Sequence, residues 1–137
     1  MRAVLVVLVA FVLAGPAAAD LAIPFRTPSG NIGCYYTSNR SLSATLRCDI
    51  RSGLKPKPAR PSSCGLDWGD SYELAPTGRA RLTCHGDTAI DPTSRALRYG
   101  TRWSRGGFTC TSRQAGLRCS NRSGHGFFLS RGHSYRF

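Results

Sequence analysis

Six cysteines, at positions 34, 48, 64, 84, 110 and 119, constrain this chain more than any other feature in it. The stretch that holds them, residues 20–137, contains no valine and only 4 Ile, 10 Leu and 5 Phe, so 19 of 118 residues, or 16%, supply the bulky Leu/Ile/Phe core. A highly charged chain below roughly 20% in such residues is ordinarily disordered. Small domains of oxidising compartments make up this deficit with disulfides, which restrict the unfolded chain where apolar burial is scarce. The even cysteine count predicts complete pairing. The length allows one domain and excludes a large α/β enzyme.

Residues 1–19 read as a secretory signal. Arg2 precedes a short apolar run, Ala3 to Ala14, and the small residues Ala17 to Ala19 form a cleavage site before Asp20. The run is too short to span a bilayer, which takes about 20 apolar residues. The expected organisation is a signal peptide over 1–19 and a single disulfide-stapled β domain over 20–137, secreted or periplasmic, with no membrane span after processing.

Three segments share the form Ala-x-Leu-x-Cys: ATLRC at 44–48, ARLTC at 80–84 and AGLRC at 115–119. Their alternation places Ala, Leu and Cys on one face, as in half-buried strands. Each follows another cysteine across turn residues. The simplest reading is three stapled hairpins, Cys34–Cys48, Cys64–Cys84 and Cys110–Cys119, with room for a pseudo-threefold repeat. Pairing Cys110 with Cys119 sets Thr111 opposite Arg118 and Ser112 opposite Leu117, leaving Arg113, Gln114, Ala115 and Gly116 as the loop. The same counting leaves Asn39 to Ser43 between Cys34 and Cys48, and Pro76-Thr77-Gly78 is a turn within the third loop. The prolines of KPKPARP, 55–61, exclude a central strand or helix there. No segment has sustained helical periodicity. The predicted fold is all-β, a small sandwich or irregular barrel of short hairpins.

Several segments resemble a family of small exported bacterial proteins catalogued only as a domain of unknown function. The resemblance rests on FRTPSGNIGC (25–34), LRCDI (46–50), CGLDWG (64–69), GDT (86–88), LRYGTRW (97–103) and FTCTSRQAGLRCSNRSGHGFFLSR (108–131). It implies an exported disulfide domain and carries no established activity or catalytic residues.

Charge is the strongest functional signal. The whole chain has 19 Lys and Arg against 7 Asp and Glu, and without Arg2 the balance is 18 against 7, a net of +11. It is unevenly placed: residues 20–91 hold 9 basic and 7 acidic residues, whereas 92–137 hold 9 arginines and no acid. Such a surface attracts anionic polymers and gains affinity by releasing their counterions, and the planar guanidinium suits bidentate contacts to phosphate and carboxylate. The expected ligand-binding residues are Arg113, Arg118, Arg122 and His125. The expected partner is an anionic polysaccharide, a phosphate polymer or a nucleic acid.

Catalytic signals are weaker. GHGFF at 124–128 sets His125 between glycines, and His85 lies two residues before Asp87. A hydrolase could combine these three with Ser29 or Ser130, although such triads are recognised by geometry and not by sequence proximity. The competing reading of His125 is a glycine-rich bulge beside a core Phe pair. Glu73 is the only glutamate, which excludes a paired-glutamate glycosidase. No Cys-x-x-Cys or His-x-x-x-His spacing points to zinc, and no cofactor is expected. Trp68, Trp103, Tyr35 and Tyr99 could stack on sugars or bases, but in so lean a domain they are first candidates for the core. Three functions therefore compete: a non-enzymatic module binding an anionic polymer, a small secreted hydrolase centred on His125, and a protein-binding or inhibitory domain built on the stapled loops.

Overall fold

The computed structural model describes residues 21–39 and 43–137. The expected leader and part of the Asn39–Ser43 loop lie outside them. Among the described residues there is no helix. Eleven short strands form two sheets: β1 (Leu21–Arg26), β2 (Ile32–Ser38), β3 (Thr45–Ile50), β4 (Ser71–Leu74), β5 (Arg81–Leu82), β6 (Arg95–Ala96), β7 (Arg102–Arg105), β8 (Phe108–Arg113), β9 (Gly116–Ser120), β10 (Gly126–Leu129) and β11 (Ser134–Arg136). The first sheet runs β5-β4-β3-β2-β1-β6 and the second β11-β10-β9-β8-β7. Strands β1 to β5 and β7 to β11 are antiparallel meanders, while β6 returns across the first sheet to pair in parallel with β1.

The two sheets pack as a sandwich around one core. Strand alternation turns Cys34, Tyr36, Leu46, Cys48 and Leu74 of the first sheet inward, against Phe108, Cys110, Leu117, Cys119, Phe127 and Leu129 of the second. Aromatic pairs join the layers: Phe25 with Trp103 at 4.8 Å between ring centroids, Tyr36 with Phe108 at 6.0 Å, and Tyr72 with Phe127 at 5.6 Å. These contacts set β1 and β2 over β7 and β8, and β4 over β10.

All three disulfides join the cysteines that spacing predicts. Cys34–Cys48 and Cys110–Cys119 each link directly opposed residues of a central hairpin, with Cα atoms 4.1 Å apart, and both are fully buried in the shared core. The third differs. Cys64 lies outside any strand, Cys84 is exposed, and the bridge ties two loops beside an isolated pairing of Asp67 with His85. The Ala-x-Leu-x-Cys repeat is thus realised in paired central strands twice, in β3 and β9. Its middle copy falls on the two-residue edge strand β5, where no further strand covers Leu82. The last hairpin is also tighter than predicted, because Arg113 pairs with Gly116 and leaves only Gln114 and Ala115 to turn.

The connection from β5 to β6 must cross the whole first sheet, and it does so over the outer face. Its Ile90 and Ala89 backbone lies so close to Gly33 of β2 that any Cβ there would meet it at 2.5 and 2.8 Å. Asp49 of β3 pins the crossing. Its carboxylate accepts hydrogen bonds from the Ala89 amide at 2.7 Å, the Ser71 hydroxyl at 2.7 Å and the Arg47 guanidinium at 2.8 and 2.9 Å. Arg47 in turn reaches the Asp87 carboxylate at 2.7 Å. This network leaves Asp49 only 2% exposed and covers the Gly33–Asp49–Ser71 end of the first sheet's outer face. Among the described residues, no comparable segment crosses the second sheet. A chain held by three disulfides belongs in an oxidising, non-cytoplasmic compartment.

Candidate functional site

The open face of the second sheet carries a share of the unpaired charge. Strand register aligns one residue from each strand in a single row: Arg102, Thr111, Arg118, Phe128 and Tyr135. Opposed residues share a face, and Arg118 and Tyr135 are exposed, so this row points away from the core. Arg113, two residues beyond Thr111, lies on the same face. Arg102 and Arg118 are two strands apart, about 10 Å, and Arg113 is about 8 Å from Arg118 by strand spacing and rise.

Beside the arginines stands a row of rings from β10, β11 and their flanks. The His133 and Tyr135 rings are stacked at 5.8 Å and 9°, Phe128 packs on both at 5.1 and 5.3 Å, and Tyr135 meets Phe137 at 6.2 Å. The Arg118 guanidinium lies 3.6 Å from the centre of the Phe137 ring. Two glycines make room for this layer: a Cβ at Gly116 would run into the Phe128 ring, and one at Gly126 into Phe137 and the Cys119 carbonyl. The rings pack on one another, yet Tyr135 remains 44% exposed. Phe137 holds the Arg118 guanidinium by a cation–π contact, and its N–H groups make no hydrogen bond among the described residues.

At the turn end of this face, a cleft of about 400 Å³ opens between the β8–β9 and β10–β11 turns and the loop after β1. Arg113, Arg131, His133, Tyr99, Ser29 and Ser130 line it, and no carboxylate does. The Ser130 hydroxyl is occupied within its own turn, donating to the His133 carbonyl at 2.8 Å and accepting from the His133 amide at 3.1 Å. Ser29 accepts from the Asn31 amide at 3.3 Å.

The predicted binding residues divide. Arg113 and Arg118 share the open face. Arg122 lies in the β9–β10 loop with its side chain across Gly107, at the opposite end of β8 from Arg113, about 20 Å away by strand rise. His125, in the same loop, is half-buried: its amide donates to Asn121 Oδ1 at 3.2 Å and its Nδ1 lies 3.3 Å from the Phe137 carbonyl. The catalytic candidates are held separately. His85 is buried, with Nε2 2.9 Å from the Asp70 carboxylate and Nδ1 2.6 Å from the Asp87 carbonyl. Burial works against its charged form, but the Asp70 and Asp87 contacts more than offset this and raise its pKa above the ordinary 6.5. The Asp87 carboxylate faces Arg47, whose hydrogen bond and charge lower its pKa, and it does not face His85. His85 and His125 have no partner in common, and neither touches Ser29 or Ser130. Among the described residues, no group of three or more His, Cys, Asp or Glu could hold a metal.

The residues missed from sequence are Arg102, Arg131 and the ring row. The alternation His133-x-Tyr135-x-Phe137 was a legible signal of an outward aromatic face. Arg102 had none, because its place in the row depends on a register spanning β7 to β9. Of the named aromatics, Trp103 packs on the core, Trp68 donates its indole N–H to the Ala59 carbonyl at 3.0 Å, and Tyr35 and Tyr99 are exposed.

Fold and site define a small disulfide-stapled β-sandwich with one partly covered face and one open, arginine-bearing face. The chain belongs to DUF6636, a family of unknown function whose profile matches residues 3–137. Comparison with curated proteins and with solved structures gives no match.

Proposed function

We propose that this protein is an exported, non-enzymatic binding module that holds an anionic polymer across the open face of its second sheet, with Arg102, Arg113 and Arg118 as the principal contacts. The observation that carries this reading is the pairing of charges. All four ion pairs among the described residues lie within residues 47–87. Of the nine arginines after residue 92, only Arg136 makes a side-chain hydrogen bond, to the Ala80 carbonyl at 3.1 Å. Guanidiniums gathered without acids repel one another, and a polyanion relieves that repulsion while releasing its counterions. Export is part of the same proposal, supported by the leader-like residues 1–19 and the three disulfides.

The test is retention of folded protein on heparin and on immobilised long-chain polyphosphate over a salt series. Replacing Arg102, Arg113 and Arg118 together by Gln should weaken binding and flatten the log–log salt slope by about 2, taking about 0.7 per phosphate contact on a flexible strand. Replacing Arg51, Lys57 and Arg60 removes the same charge away from this face and should do less. Equal losses from both triples would reduce the effect to net charge and leave no binding face.

A further inference from the structure

We infer that the groove between the β6 and β7 edges of the sandwich is a second site, sharing only Arg102 with the open face, which takes a small amphipathic anion: an apolar body carrying a carboxylate, sulfate or phosphate head. The two sheets end here side by side, and about 320 Å³ remains between them. Phe25, Leu97 and Trp103 supply an apolar floor, and Arg95, Arg98 and Arg102 line the same space. No acid lines it, and none of the three arginines has a side-chain hydrogen bond or ion pair among the described residues.

The walls are built, not loose. Leu97 donates its amide to the Arg26 carbonyl at 2.7 Å, and the Thr101 hydroxyl donates to the Arg98 carbonyl at 2.6 Å, fixing the segment between β6 and β7. Trp103 packs at 4.8 Å on Phe25 and edge-on at 5.7 Å to Tyr36, so its position is set by the core. It is nevertheless only half-buried, and its indole N–H makes no hydrogen bond.

The mixture of surfaces selects the ligand. A purely apolar molecule would cover the floor but leave the three cations repelling one another and partly desolvated, which is unfavourable. A simple oxyanion would satisfy the guanidiniums and leave the floor wet. A molecule with both parts satisfies both, and the volume suits one ring or a short chain, at the small end of ligand pockets. An alkyl acid and an aryl acid share this chemistry.

Trp103 provides the readout. In a Trp68→Phe background it is the only remaining tryptophan, and its emission should change saturably with octanoate or 3-phenylpropionate. Octyl glucoside has the chain without the charge, and acetate has the charge without the chain; neither should match those probes. Tighter binding of octanoate would mark an acyl ligand, and tighter binding of phenylpropionate an aromatic acid. Replacing Arg95 and Arg98 by Gln should weaken binding about tenfold or more, as expected for losing charged hydrogen bonds. Because neither residue lies in the arginine row of the open face, polyphosphate retention should change no more than in the charge-matched triple. Octyl glucoside binding as well as octanoate would reduce the groove to a greasy patch, and acetate binding as well would reduce it to charge alone. Either result, or an emission that never saturates, would overturn the site.

Discussion

Reduction of the disulfides should unfold this domain, and the order of reduction should follow burial. The three loops span separations of 14, 20 and 9 residues, and none overlaps another along the chain. Their effects on the unfolded state are therefore close to independent. In the chain-entropy model they contribute about 3.0, 3.3 and 2.6 kcal/mol, together about 9 kcal/mol. A domain of this size has a total stability of about 5–15 kcal/mol, so full reduction removes most or all of it. Accessibility separates the bridges. Cys84 is exposed, whereas Cys34, Cys48, Cys110 and Cys119 are fully buried. Mild reductant on native protein should open Cys64–Cys84 first, giving a folded species weakened by about 3 kcal/mol. The two core bridges should open only with global unfolding. Timed alkylation with peptide mapping reads the order, and near-ultraviolet circular dichroism reads the fold. Native signals after complete reduction would show that the apolar core suffices. Early modification of Cys110 or Cys119 would show that the sandwich opens locally.

The polar anchor beneath the crossing segment yields further expectations. Asp49→Ala leaves the Ala89 amide, the Ser71 hydroxyl and Arg47 without their buried acceptor and should cost about 3–5 kcal/mol in chemical denaturation, with Asp49→Asn milder. Gly33→Ala sets a methyl against the backbone of Ala89 and Ile90, which cannot step aside as a flexible side chain would, and should cost about 1–3 kcal/mol. His85 has a raised pKa, so its contribution is fully present below the ordinary 6.5 and is lost as pH rises through its folded value. Urea midpoints should thus fall between pH 5.5 and 8.5, and His85→Gln should flatten that part of the profile; an unchanged profile would mean that the ring is neutral in the fold.

Much of this was legible because local pattern and tertiary outcome coincide. In LRCDI and GLRCS, alternation alone turns Leu46, Cys48, Leu117 and Cys119 inward, and a disulfide between opposed cysteines fixes register without further information. Legibility ended where long-range geometry took over. ARLTC has the same alternation, yet β5 has a neighbour on one side only, and Cys84 turns to a loop partner. Arg113, Arg118 and Arg122 look equivalent in sequence because each is an arginine near the last hairpin. Two sit on ladder positions of one face, whereas Arg122 lies past the end of β9, where alternation no longer applies. His85 and Asp87 look like an acid–base pair, but the crossing segment turns the carboxylate to Arg47 and leaves only the Asp87 carbonyl for the ring.

The uneven charge along the chain has a structural cause in this topology. Returning from β5 to β6 forces a segment without strand pairing across the outer face of the first sheet, and its backbone and flanking side chains need partners there. Asp49, Asp70 and Asp87, three of the seven acids, meet that need through Arg47, His85 and backbone groups. The second sheet is a simple meander of neighbouring strands, with no crossing segment to anchor. Its hydrogen bonds are satisfied within the ladder, and its outer face imposes no structural demand for acids. Arg102, Arg113 and Arg118 are therefore compatible with this face without acids beside them, and apart from the Arg118 contact with the Phe137 ring they contribute little to its stability. On the proposed reading, Arg102, Arg113 and Arg118 serve recognition more than folding. Replacing them should then weaken binding to polyanions while moving the melting temperature by no more than a few degrees, because relieved repulsion offsets the lost Arg118–Phe137 contact.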